Sequence, residues 1–128
     1  MTYVDSSVVL AQLLVEDRVP PARLWESTPV SSRLTEYEVW TRVHARRLAE
    51  SHGELVRQLL GRLAWLELTP VVLARALDPW PAAVRTLDAL HLASVIFLQQ
   101  QGQDVHLATY EDRMTGAASR LDIPLFAL

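Results

Sequence analysis

Short apolar segments alternate along the chain with longer segments whose apolar residues recur at helical spacing. The short segments predict β-strands at residues 2–4, 29–33, 65–69, 105–109 and 123–128. The longer segments predict helices at residues 8–17, 21–27, 35–51, 54–63, 71–77, 83–101 and 112–121. Strands that alternate with helices are typical of an α/β domain with a mainly parallel sheet. Because no linker or repeat interrupts this pattern, residues 1–128 are predicted to form a single domain.

Composition removes several kinds of chemistry. The chain has no cysteine, so disulfides and thiolate sites are excluded. All 12 basic residues are arginine, so no lysine is present for a Schiff base or a P-loop. A net charge of −3 argues mildly against a nucleic-acid partner. No basic and apolar leader or membrane-spanning stretch is visible, so a soluble cytoplasmic protein is expected.

Acidic residues follow three of the predicted strands. Asp5 follows the first strand, Glu36 the second, and Glu111 and Asp112 the strand at 105–109. The carboxyl ends of parallel strands share one edge of a sheet, where α/β domains bind their ligands. Each acid also has a purely structural explanation as a helix cap or a helix-dipole partner. Residues 35–38 fit a capping box, with Thr35 as the N-cap and Glu38 reaching back to it, and Glu36 lies in the first turn of the same helix.

A fifth acid, Asp88, lies in the apolar stretch RTLDALHLASVIFL. A carboxylate on so apolar a helix is costly to bury unless something compensates it. Arg85, one turn earlier, could form a structural ion pair with it. Alternatively, Asp88 and the strand-end acids could share a hard divalent cation, Mg²⁺ or Mn²⁺. The four histidines lack zinc-binding spacing, and His91 is interpreted as a packed helix residue.

Four segments in order resemble the PIN-domain ribonucleases, in particular the VapC toxins of prokaryotic toxin–antitoxin pairs. They are YVDSSVVL, LTEYEVWTRV, RTLDALHLASV and LATYEDRM, the last followed by AASRLDIPL. The resemblance covers essentially the whole chain and implies a three-layer α/β/α domain. It also implies an endoribonuclease that depends on Mg²⁺ or Mn²⁺, in which a metal-activated water cleaves RNA.

The resemblance assigns candidate roles to individual residues. The catalytic and metal-binding acids would be Asp5, Glu36, Asp88, and Glu111 or Asp112, with Ser6 and Thr109 as supporting hydroxyls. Aspartate is more usual in the family where this chain has Glu111, which leaves open whether Glu111 or Asp112 is the fourth acid.

The resemblance also implies partners. Arg42, Arg46 and Arg47 could contact the RNA backbone, although a solvated helix face is the alternative explanation. A cognate VapB-type antitoxin would bind an apolar groove, and the chain would form a homodimer or a hetero-oligomer with that antitoxin. The candidate groove residues are Val9, Leu10, Leu13, Leu14, Leu24 and Trp25, which ordinary core packing could also explain.

Two other function classes remain open at this point. A catalytically weak PIN-like binding module is suggested by the unusual Glu111. A receiver-like phospho-signalling domain would also bind Mg²⁺ at acidic residues, but it requires paired acids before the first helix and a late lysine. This chain has Asp5 alone there and no lysine.

Overall fold

The computed structural model describes all 128 residues. Its strands are β1 (Thr2–Val4), β2 (Val30–Ser32), β3 (Ala64–Leu66) and β4 (His106–Ala108). Its helices are α1 (Ser6–Leu14), α2 (Arg33–Ala45), α3 (Ala49–Leu60), α4 (Pro70–Leu77), α5 (Thr86–Gln100) and α6 (Asp112–Arg120). The predicted helix at 21–27 is only a short 3-10 turn at Ala22–Trp25. The predicted last strand is reduced to one isolated bridge between Leu107 and Leu125.

The four strands form one parallel sheet in the order β3-β2-β1-β4. Successive side chains of a strand point to opposite faces of the sheet, so adjacent residues enter different cores. Val4 packs into a core with α1, α2 and α3, whereas Tyr3 packs into a second core with α5 and α6. These two helical layers on one sheet confirm the predicted α/β/α architecture.

The boundary between α2 and α3 differs from the prediction. The predicted break at Gly53 is wrong, because Gly53 lies buried within α3. The chain instead leaves α2 at Arg46 and turns through Arg47, whose φ is 55°. A glycine inside a helix costs about 1 kcal/mol relative to alanine, so Gly53 alone does not end α3.

The carboxyl ends of β1, β2 and β4 lie at one edge of the sheet, and each strand leads within a few residues into a helix. The starts of α1, α2 and α6 therefore gather at the same edge, in agreement with the general location of sites in open α/β sheets. No helix of the protein is both long and apolar enough to cross a lipid bilayer.

Candidate active site

Asp5 lies at the centre of this edge and is 2% exposed. One carboxylate oxygen accepts hydrogen bonds from Ser7 Oγ at 2.6 Å and from the Val8 amide at 3.4 Å. The other accepts a hydrogen bond from Thr109 Oγ1 at 2.7 Å. Ser7 Oγ in turn accepts from the Tyr110 amide at 3.0 Å, so the β1–α1 and β4–α6 turns are joined through Asp5. Asp5 is therefore the N-cap of α1, but it also accepts hydrogen bonds from two side chains that a helix cap does not require.

The ionised form of Asp5 is costly in this setting. Burial raises the pKa of Asp5 above its ordinary value, and the nearby His91 and the hydrogen bonds from Ser7 and Thr109 oppose this rise only in part. The protein therefore holds a buried carboxylate whose negative charge is incompletely compensated. A cation placed against Asp5 would supply the missing compensation.

His91 connects Asp5's surroundings to a second acid. Its Nδ1 lies 2.7 Å from Tyr3 Oη, and its Nε2 lies 2.6 Å from Glu38 Oε1. Burial raises the pKa of Tyr3, so the phenol keeps its proton. Because a carboxylate oxygen accepts, Nε2 is the nitrogen that donates to Glu38. Tyr3, His91 and Glu38 thus form a hydrogen-bonded chain that ends on a carboxylate in the cavity.

The structure corrects the prediction for Glu36. Glu38, not Glu36, lines the cavity that contains Asp5. Glu36 lies on another side of α2 and forms an ion pair with Arg33 at 3.4 Å. Two residues along a helix differ by about 200° in direction, so only one of the two acids can face the site.

The error has a local cause. The helix begins at Arg33, with Ser32 as its N-cap, and Thr35 therefore lies inside α2. The predicted capping box assigned Glu38 to a structural role that it does not have. The buried residues of α2 are Thr35, Val39 and Val43, spaced by four, and Glu38 immediately precedes one of them. That spacing was the signal in the sequence that could have identified Glu38.

Asp88 is less deeply buried than its apolar neighbours suggest, because α5 begins at Thr86 and not at 83. In this first turn its side chain is 13% exposed and accepts from the Arg85 amide at 3.4 Å. Its ion pair is with Arg113 Nε at 3.6 Å, and not with the predicted partner Arg85, which contributes only a backbone amide. Asp88 is compensated by a helix start and an arginine from α6.

Glu111 and Asp112 separate clearly. Glu111 precedes α6 and lines the cavity, and its amide donates to Thr109 Oγ1 at 3.0 Å. Asp112 is the first residue of α6, is exposed, and does not line that cavity. Glu111, and not Asp112, therefore shares a cavity with Asp5.

The shared cavity has a volume of about 390 Å³. Only one of its ten lining residues is hydrophobic, and its four acids come from four distant parts of the chain: Asp5, Glu38, Asp88 and Glu111. Carboxylate oxygens are the donors that Mg²⁺ and Mn²⁺ prefer. No three potential ligands converge closely enough to hold an ion as they stand, since Asp88 faces Arg113 and Glu38 faces His91. The four carboxylates are therefore suitable ligands for a hard divalent cation, although Glu38 and Asp88 are paired with His91 and Arg113 in this structure.

Only some of the predicted supporting hydroxyls and RNA-contacting arginines lie near the acids. Thr109 contacts Asp5 directly, whereas Ser6 lines the cavity and the neighbouring Ser7 makes the hydrogen bond. Arg42 lines a second cavity that adjoins the acidic one. Arg46 and Arg47 are exposed beyond the end of α2 and line neither of these two cavities.

Most residues of the predicted antitoxin groove are not accessible on the surface, so this prediction is wrong. Its residues Val9, Leu10, Leu13 and Leu24 are buried in the core, and Leu14 and Trp25 pack against that core. Apolar residues at helical spacing on α1 serve the sheet and not an open groove. A separate open cavity of about 230 Å³ lies between α1 and α3, and it includes Leu13 together with Leu55 and Leu59.

Comparisons with known proteins agree with this arrangement. The model of the PIN domain family matches residues 2–118. Ribonuclease VapC46 of Mycobacterium tuberculosis is 34% identical over 98% of this chain and 95% of its own length. Ribonuclease VapC47 of the same species is 31% identical over 89% of this chain and 87% of its own.

A solved structure shares the fold. A toxin–antitoxin complex from Klebsiella pneumoniae contains a chain that matches with a TM-score of 0.64 and 15% identity, over 91% of this chain and 92% of the other. The match to PIN domains removes the receiver-like alternative, because it assigns nearly the whole chain to a different family. From the acidic edge of its parallel sheet, the family match and the VapC relatives, we conclude that this chain belongs to the PIN-domain family, in its VapC group.

Proposed function

We propose that the protein is an endoribonuclease that hydrolyses RNA with the help of Mg²⁺ or Mn²⁺ and acts as the toxin of a toxin–antitoxin pair. The observation that carries the proposal is the polar cavity at the carboxyl edge of the sheet, which four acids from distant parts of the chain line together. VapC relatives named as ribonucleases support the same activity. Four neighbouring carboxylates would repel a phosphodiester by themselves, which favours a cation as a component of the site.

The residues at the cavity have different proposed roles. Asp5, Asp88, Glu38 and Glu111 would hold the ion. When bound, a divalent cation lowers the pKa of water and neutralises charge on the phosphate. Thr109 and Ser7 fix the orientation of Asp5, and His91 fixes that of Glu38. A carboxylate held in this way can accept a proton from a water molecule while the oxygen of that water forms a bond to phosphorus. The bond from phosphorus to the 3′ oxygen breaks and that oxygen takes up a proton from solvent, which leaves a 5′-phosphate and a 3′-hydroxyl.

The decisive experiment uses two glutamates on the same helix. We expect the purified protein to cleave total RNA with Mg²⁺ or Mn²⁺ but not with EDTA. Glu38→Gln should reduce the cleavage rate by about 100-fold or more, because it removes a charged donor from the site. Glu36→Gln should change the rate by less than about twofold, since Glu36 pairs with Arg33 outside the cavity.

Several results would contradict the proposal. Cleavage that persists in EDTA, or no cleavage of total RNA with either metal, would exclude metal-dependent RNA hydrolysis. Loss of activity in Glu36→Gln with full activity in Glu38→Gln would refute the site assignment. Circular dichroism of both variants separates these outcomes from a failure to fold.

A protein antitoxin is part of the proposal. The matching chain from Klebsiella pneumoniae belongs to a toxin–antitoxin complex, which supports a partner of this kind. The cavity between α1 and α3 is the candidate contact, because Leu55 is 53% exposed beside the buried Leu59. Leu55→Arg should abolish co-purification with the product of a small adjacent reading frame and leave RNA cleavage intact. Unchanged co-purification would place the antitoxin elsewhere.

A further inference from the structure

A second polar cavity adjoins the acidic one. The two share Ser6, Glu38 and Glu111, so the second begins at the acids themselves. Its other residues include two arginines, Arg18 from the segment after α1 and Arg42 from α2. Two cations from separate elements of the chain therefore lie beside the cavity that the four carboxylates line.

Both arginines keep their hydrogen-bond donors available. Neither Arg18 nor Arg42 donates a side-chain hydrogen bond or forms an ion pair within 4 Å, although Glu16 lines the same cavity. Arg18 lies over the ring of Tyr110, with its guanidinium carbon 4.7 Å from the ring centre. Guanidinium N–H groups lie in the plane of the group, so contact between its face and a ring restricts its motion without using a donor. Tyr110 thus positions a cation that has no anionic partner in the protein.

Arg42 belongs to the helix face that also presents Glu38. The two residues are four apart on α2, and each immediately precedes a buried valine, Val39 or Val43. The spacing that directs Glu38 to the acidic cavity therefore also directs Arg42 to its neighbour. Arg46, one turn later, lies at the end of α2 and lines neither cavity.

We propose that Arg18 and Arg42 bind the backbone phosphate of an RNA nucleotide next to the one that is cleaved. The inference rests on the proposed function, because it names the surface that holds the substrate beside the acids. A polyanion that approaches four carboxylates needs cationic contacts at their margin, and guanidinium groups suit phosphate oxygens. The pair also resolves the apparent conflict with the net charge of −3, since the attraction for RNA is local and does not depend on the total charge.

The test measures how the affinity for RNA depends on salt. A fluorescein-labelled single-stranded RNA of mixed sequence is titrated by anisotropy with the non-cleaving Asp5→Asn protein in Mg²⁺, at several NaCl concentrations. Each phosphate contact in single-stranded RNA contributes about 0.7 to the slope of log Kd against log salt. The double substitution Arg18→Gln and Arg42→Gln in this protein should lower the slope by about 0.7, the value for one phosphate, and each single substitution should lower it by part of that amount. The matched control Arg46→Gln should leave it unchanged.

The outcomes distinguish this inference from the proposed function. An equal fall in slope for Arg46→Gln, or no fall for Arg18→Gln and Arg42→Gln, would overturn the phosphate site. If wild type cleaves total RNA while the slopes stay equal, only this inference fails. If the slopes fall as expected but wild type does not cleave RNA, the phosphate site stands and the catalytic proposal fails. With Asp5 intact, so that RNA can be cleaved, replacing both arginines with glutamine should raise KM more than it lowers kcat.

Discussion

Asp5 and Asp88 line the same cavity, but the protein holds them in different ways. Asp5 is buried and accepts three hydrogen bonds from groups that strands β1 and β4 position. Asp88 is partly exposed at the start of a helix, and its charged partner is the flexible side chain of Arg113. One acid is therefore fixed by the backbone before any ligand arrives, whereas the other must exchange a protein partner for a ligand. The difference separates a rigid half of the site from an adjustable half.

The largest expected effect comes from Asp5→Asn, which removes the charge of the rigid half. We expect RNA cleavage to fall below detection. The same variant should raise the Tm of the metal-free protein at pH 7, because it removes a buried charge that is incompletely compensated. Each kcal/mol of relief corresponds to about 4 °C in a chain of this size.

The pH dependence checks the cause. The folded protein holds the proton of Asp5 more tightly than the unfolded chain does, because burial raises the folded pKa above the ordinary value of 3.8. Stability from this group is therefore complete below pH 3.8 and is lost as the pH rises through the folded pKa. The Tm advantage of Asp5→Asn in EDTA should grow over that range and vanish in acid. A variant that is less stable than wild type at pH 7 would contradict the assignment.

Thr109→Val tests whether the rigid half depends on its hydrogen bonds. The change keeps the shape of the side chain but removes the donor to Asp5 and the acceptor for the Glu111 amide. We expect a loss of about 10- to 100-fold in Mn²⁺ affinity, the usual cost of losing a group that orients a ligand. Thr109→Ser, which keeps the hydroxyl, is the matched control. Equal Mn²⁺ affinities in calorimetry for the two variants would show that orientation by Thr109 is unimportant.

Glu111 and Asp112, adjacent acids at the start of α6, allow a comparison with a smaller expected effect. Glu111→Gln should weaken Mn²⁺ binding by about tenfold, because Glu111 lines the cavity and Asp112 does not. Asp112→Asn should change it by less than about twofold, as expected for an exposed surface charge. If Asp112→Asn has the larger effect, Asp112 and not Glu111 completes the site.

The smallest expected effect has the opposite sign. Arg113→Ala frees Asp88 from its ion pair, so Mn²⁺ should bind up to about fivefold more tightly, the equivalent of a partly exposed pair worth about 1 kcal/mol at most. Arg120→Ala, at the far end of α6, is the control for charge alone. Weaker Mn²⁺ binding by Arg113→Ala would mean that Arg113 supports the site and does not compete with the ion.

The sequence predicts the parts of the site that strand ends define and fails where helix register decides. Asp5 and Glu111 follow short apolar strands, so their place at the sheet edge can be read directly from the pattern. Glu36 and Glu38 are two residues apart, and a shift of two residues in the start of α2 exchanges their directions. Helix starts carry errors of this size when propensity is the only guide.

The antitoxin surface shows a second limit. Periodicity shows that α1 has an apolar face, but it does not show what covers that face. Val9 and Leu10 pack on the sheet, while the open cavity beside α1 owes its exposed wall to Leu55 of α3, a residue that the pattern of α1 does not contain. Likewise, Arg18 reaches the margin of the site because of how the segment after α1 lies against Tyr110, which no local pattern encodes.

The hydrogen bond between Thr109 and Asp5 joins residues 104 positions apart. During synthesis Asp5 emerges just after β1, whereas Thr109, which follows the partner strand β4, emerges 104 residues later. A chain that stops before β4 lacks the hydroxyl of Thr109, the amide of Tyr110 that orients Ser7, and the whole of Glu111. A chain that has not yet reached β4 therefore cannot assemble the site, and a growing cell is exposed to the proposed activity only from molecules that include β4 and the turn after it.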